Sequence, residues 1–81
     1  MTSVVVTIEC PLEKEMYDLR DKLCTTFSLL YSELFTDNHI IVNASDDRND
    51  GSKNTVVVIL KGTEAISAYP VVQKFMKWYA A

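Results

Sequence analysis

No stretch of this 81-residue chain approaches the run of about 18 uncharged apolar residues that a membrane-spanning helix requires. Met1-Thr2-Ser3-Val4 has no basic region and no small-residue cleavage site behind it, so a secretory leader is not expected. Glycine occurs only at 51 and 62, too few for a loop that cradles phosphate through its backbone amides. His39 is the sole histidine and Cys10 and Cys24 are the sole cysteines. A zinc site needs about four ligands at close spacing. A Cys–His catalytic pair needs a thiol and an oxyanion donor beside the imidazole. Neither set is visible, because both cysteines sit among apolar neighbours and His39 opens a strand. A secreted mini-domain would carry more cysteines. These two therefore read as reduced thiols, in a cytoplasmic or nuclear protein.

What is present is ordinary for a small folded protein. Apolar residues make up 48% and charged residues 23%, a globular balance that excludes disorder. The length suits a single domain over residues 1–81. The charge is uneven. Residues 1–50 hold ten acids and four bases, net −6, and residues 51–81 hold one acid and four bases, net +3. A non-specific DNA binder would be basic throughout. A basic face on an acidic protein suits a specific partner. Asp46-Asp47-Arg48-Asn49-Asp50-Gly51 has the outline of a calcium loop, but Arg48 occupies a ligand position and no glutamate lies six residues past Gly51. It reads as a solvated turn.

The periodicity predicts five elements. Val4–Ile8 is β-branched throughout and reads as a strand. Pro11 suits the first position of a helix, with Glu13 and Glu15 in its first turn. Met16, Leu19, Leu23, Phe27, Leu30 and Leu34 then recur at helical spacing. A second stripe, Tyr17, Cys24, Tyr31 and Phe35, flanks the first and makes the apolar face wider than one sheet needs. Residues 12–35 as one helix would span about 36 Å, against about 20 Å for a typical strand. Either Thr25-Thr26 bends it or the overhang packs on another chain. Asn38 suits a left-handed cap. His39–Ala44 and Thr55–Lys61 read as strands around a polar loop, Ser45–Asn54, with the turn Asp50-Gly51. The last strand is apolar on both faces, so it should be central or covered twice. Thr63 suits an N-cap, and Pro70 either starts the final regular helix near Tyr69 or kinks it there. Val72, Phe75, Met76 and Tyr79 then mark its inner face.

The fold class predicted is α+β, a two-layer sandwich in the order strand, helix, strand, strand, helix. Its three-stranded mixed sheet would carry two helices on one face, with the first two strands joined by a parallel crossover. The far face and the open edges then invite a second copy or another protein. No acid–base pair or nucleophile constellation appears, so the chain reads as non-enzymatic, without cofactor, metal or small-molecule substrate. Lys74-Phe75-Met76-Lys77-Trp78-Tyr79 interleaves bases with aromatics. RNA- and single-strand-binding surfaces combine those features, and tryptophan is also enriched at protein hot spots. The partner-binding candidates are Tyr17, Cys24, Tyr31, Phe35, Lys74, Lys77 and Trp78.

Two resemblances fit this order. Lys61-Gly62-Thr63-Glu64 through Gln73-Lys74-Phe75-Met76-Lys77-Trp78, behind a Val/Ile strand, resembles the end of the small dimerising subunit of the KEOPS complex. That family tends to show a Thr/Ser-x-Asp-like turn and then a helix with an Asn-Ser-Tyr-Leu-Arg-Trp-like run. The opening Val/Ile strand with Pro11 and Glu13 also looks similar. The family's early Leu-Arg pair falls at Ala68-Tyr69, and the first helix and hairpin loop are longer here. The resemblance implies a non-catalytic, dimerising accessory subunit of a tRNA-modifying enzyme. Phe35-Thr36-Asp37-Asn38 before a Val/Ile strand is similar to the DinI family of RecA modulators. That implies a small regulator of a nucleic-acid-processing protein. The DinI family uses an acidic last helix, whereas residues 64–81 hold one acid and two lysines. An RNA- or single-strand-binding module remains the third reading.

Overall fold

The first strand, β1 (Ser3–Cys10), alternates strictly: Val6, Ile8 and Cys10 are buried, and Val5, Thr7 and Glu9 face outward. Its partner is β3 (Asn54–Lys61), whose Val56, Val58 and Leu60 are buried. The second strand, β2 (Ile40–Ser45), lies on the other side of β3. The structure, a computed structural model, describes residues 2–45 and 54–80, without the side chains of Tyr79 and Ala80. The turn at Asp50-Gly51 and the acidic loop around it lie outside the described residues, as does the inner-face role of Tyr79.

Both pairings are antiparallel, with Val6 opposite Val58 and Val42 opposite Val58 on the other side. The sheet order is β1-β3-β2. β1 and β2 therefore run in the same direction but never touch. The mixed sheet with a parallel β1–β2 ladder is corrected to a three-stranded antiparallel sheet. The physical reason is β3 itself. An order β1-β2-β3 would leave the most apolar strand at an edge, whereas the observed order gives it two neighbours. Antiparallel ladders are also slightly more stable per residue.

Helix α1 (Glu13–Leu30) buries Met16, Leu19, Leu23 and Phe27 completely, at the predicted spacing. Its N-cap is Leu12, so Pro11 lies outside the helix rather than at its first position. The predicted continuation through Leu34 fails. The helix ends at Leu30, and Tyr31 turns out of helical geometry at φ −136° and ψ 48°. A short helix, α2 (Ser32–Thr36), follows. Thr25-Thr26 produce no break: α1 runs through both, and the Thr26 hydroxyl donates to the Lys22 carbonyl at 2.8 Å. Length accounts for the break. Eighteen residues of α1 span about 27 Å, and eight residues of β3 span about 26 Å. The helix stops where its sheet stops, and α2 folds the remaining apolar residues back over β2. Tyr31, Leu34 and Phe35 pack against the core, while Leu30, predicted as an inner residue, is 65% exposed.

The end of α2 is a Schellman closure. Asn38 is left-handed at φ 62°. Its N–H donates to the Phe35 carbonyl, and the His39 N–H donates to the Leu34 carbonyl. After β3, Gly62 caps the short helix α3 (Thr63–Ile66) at φ 90° and ψ 162°, so Thr63 is the first helical residue and not the cap. The Gly62 N–H donates to the Thr2 carbonyl, tying the start of α3 to the entry of β1. The last helix, α4 (Tyr69–Ala80), begins where Pro70 predicted. The missing proline N–H falls among first-turn donors that have no helical partner.

The core lies between the helices and one sheet face. Phe27, Met16, Leu19 and Leu23 from α1 meet Ile40, Val56, Val58 and Leu60 from the sheet. Ala65 of α3, Ala68 of the turn that follows and Val72 of α4 close it. Among the described residues no polar or charged side chain is buried. The chain is thus α+β in two layers, with the helices on one face of the sheet and, among the described residues, no element on the other.

Candidate interaction surfaces

The open sheet face follows from strand alternation. Val5 of β1, Ile59 of β3 and Ile41 of β2 stand opposite one another in one row. Val57 occupies the next row on β3, between Thr7 and Asn43. Val5 is 61% exposed, and Ile41, Val57 and Ile59 are each half-buried. β-branched side chains suit the sheet on both faces, but only one face receives helices. The apolar pattern of β3 points to this surface. Its extent across Val5 and Ile41 emerges only from the register.

The second surface lies between α1 and α4. Thr26 and Leu30 of α1, with Val71, Lys74, Phe75 and Trp78 of α4, line a groove of about 270 Å³. Val71, Lys74, Phe75 and Trp78 recur at helical spacing and share one face of α4. Trp78 is 69% exposed and stands edge-on to Phe75, with ring centroids 5.5 Å apart. The Lys22 ammonium lies 5.9 Å from the Trp78 ring centroid, a cation–π distance, and also pairs with Asp18 at 2.9 Å. Lys74 and Lys77 are exposed, and neither is in an ion pair among the described residues. The groove therefore combines an apolar floor with a cationic rim.

The stripe predicted from Tyr17, Cys24, Tyr31 and Phe35 is divided by the break after Leu30. Tyr17 stays on the solvent side of α1, with the Arg20 guanidinium 4.9 Å from its ring centroid. Arg20 also binds Asp21 at 3.0 Å. Cys24 is half-buried. Burial holds its thiol above the ordinary value of 9.0, opposed by Arg20 and aided by Asp21. Tyr31 packs edge-on against Phe27, with centroids 6.4 Å apart, and Phe35 turns inward on α2. Cys24 and Phe35 still meet at a shallow cleft with Thr25, Ser28 and Leu29. The four residues thus fall into three environments: Tyr17 beside Arg20, Cys24 with Phe35 at the cleft, and Tyr31 against Phe27. Leu29 and Leu30, by contrast, are exposed at the end of α1. Sequence periodicity gave no signal for that, because their spacing fits a continued helix.

The remaining chemistry is sparse. Cys10 is buried, and its thiol is raised by burial and by the charge of Glu15. His39 is exposed, and its carbonyl accepts the Lys61 N–H at 2.8 Å. Among the described residues no three metal-ligating side chains cluster, and no helix is long and apolar enough to cross a membrane. No protein-family model, curated protein or solved structure matches the chain.

Proposed function

We propose that the protein is a non-catalytic interaction subunit that pairs with a second copy of itself through the open sheet face. The observation that carries this reading is the row Val5–Ile59–Ile41 beside Val57, left uncovered while every helix packs on the opposite face. The face measures about 26 Å along the strands and about 14 Å across them. That is about 360 Å² per copy and about 730 Å² for the pair, below the about 1,200–2,000 Å² in total that stable interfaces bury. Association through it is weak and sensitive to one added charge. The resemblance to the KEOPS small subunit supplies the partner class to test first, a tRNA-modifying enzyme that the dimer would support in the cytoplasm or nucleus.

Exposure of Trp78 near Lys22, Lys74 and Lys77 favours a second reading, a single-stranded RNA or DNA contact on the helix side. The DinI reading draws no support from α4, because residues 64–81 hold a single acid, Glu64. Sedimentation equilibrium at micromolar concentration tests the principal reading. A species of twice 9.2 kDa that falls to the monomer mass in Val57→Lys is the expected result. A 9.2 kDa species throughout the concentration range overturns self-association.

A further inference from the structure

We infer that the groove between α1 and α4 receives an acidic amphipathic helix of a partner protein. This rests on the reading of the chain as an interaction subunit, but it uses a surface on the opposite side from the sheet face. The volume is small. The groove holds about 270 Å³, below the 300–1,000 Å³ of typical ligand pockets, and suits one or two inserted side chains. Its shape decides for a helix. The floor of Leu30, Val71 and Phe75 runs between two helices, and an apolar helix face anchors in such a groove through residues at i, i+3, i+4 and i+7. Extended segments instead join sheet edges, which lie elsewhere.

Charge then selects the partner. The protein is −3 overall, yet Lys22 stands 5.9 Å from the Trp78 ring, Lys74 lines the groove, and Lys77 follows on the last turn of α4. Lys74 and Lys77 have no acidic partner among the described residues. Carboxylates flanking the apolar anchors of an incoming helix would meet the Lys74 and Lys77 ammonium groups, Lys22 being held by Asp18. Trp78, desolvated beneath the helix, would be the anchor that carries most of the affinity.

Trp78 is the only tryptophan, so its fluorescence reports on the groove without a label. The probe is a synthetic helical peptide with leucines at i, i+3, i+4 and i+7 and glutamates on the flanking positions. A second peptide has every glutamate replaced by lysine, and an oligouridylate serves as the nucleic-acid arm. The expected result is a saturable blue shift of Trp78 with the acidic peptide, with binding about tenfold weaker for the lysine peptide and for K74E/K77E. Leu30→Glu, at an exposed position, should also weaken binding while circular dichroism stays unchanged. If that variant unfolds, K74E/K77E still decides. No saturable shift, equal affinity for the two peptides, or tighter binding of the oligouridylate overturns the proposal. Sedimentation is unaffected by these variants, so failure of the groove and failure of the sheet-face dimer are read separately.

Discussion

Val57 and Val58 are neighbours on the central strand, yet lysine at the two positions should have opposite consequences. Val58 is fully buried between Val6 and Val42. Removing it forfeits about 1.5–3 kcal/mol of apolar burial, and an unpaired buried ammonium adds a penalty of several kcal/mol. An 81-residue protein has about 4–12 kcal/mol of stability to lose. Val58→Lys is therefore expected to be unfolded or nearly so. Val57 stands between Thr7 and Asn43 on the open face, where a lysine stem can lie along the sheet and keep its charge in water. The folding cost there is at most about 1 kcal/mol, the span of strand preference. In a symmetric dimer, however, the same substitution places a lysine on both sides of the interface. Urea denaturation followed by circular dichroism measures the first effect, and sedimentation equilibrium measures the second. Equal destabilisation by the two lysines would refute the open face. A stable Val57→Lys that still dimerises would refute the placement of the contact.

Two further outcomes test the backbone and the thiols. Gly62→Ala should lower stability by about 1–3 kcal/mol, because φ 90° with ψ 162° lies in a region open essentially to glycine alone. Nothing lies within 4 Å of the added Cβ, so a thermal melt reads backbone strain, and an unchanged melt would contradict that conformation. Both cysteine thiols are raised above 9.0 in the fold. The native state thus holds these protons more tightly than the unfolded chain. Their contribution to stability is complete below the ordinary thiol value and declines as pH climbs past it. Urea midpoints measured at pH 8 and 10 should diverge less in Cys10→Ala and Cys24→Ala than in the parent, and equal divergence counts against the shifts.

Much of the fold was legible because its signals are local. Val6 and Ile8 alternate with Val5 and Thr7, and Met16, Leu19, Leu23 and Phe27 repeat at helical spacing. The position of Asn38 as a left-handed cap and the start of α4 around Pro70 also follow from single-residue chemistry. Strand order was harder, because which edge β1 chooses depends on residues some fifty positions away. The apolar double face of β3 held the answer: β1 and β2 run parallel as the crossover requires, but β3 lies between them, so no parallel ladder forms. At the surfaces, Trp78 was legible as the residue the core leaves over. The partial packing of Tyr31 and Phe35 on the core was not, because α2 faces the same core as α1 and so preserves the spacing across the break.

That break links the fold to the helix-side surface. A helix carried straight on past Leu30 would project beyond a sheet of equal length and leave Leu34 and Phe35 without a floor. Turning the chain at Tyr31 returns those two side chains to the core and keeps the Phe27–Tyr31 contact. The same turn leaves Leu29 and Leu30 exposed at the helix end. Leu30 becomes one wall of the groove, and α4 supplies the opposite wall with Val71, Phe75 and Trp78. The apolar surface there is thus the remainder of matching α1 to the length of its sheet. Substituting Leu30 should accordingly alter what the groove binds far more than how stably the chain folds, whereas Phe27, one turn earlier and fully buried, answers to stability alone.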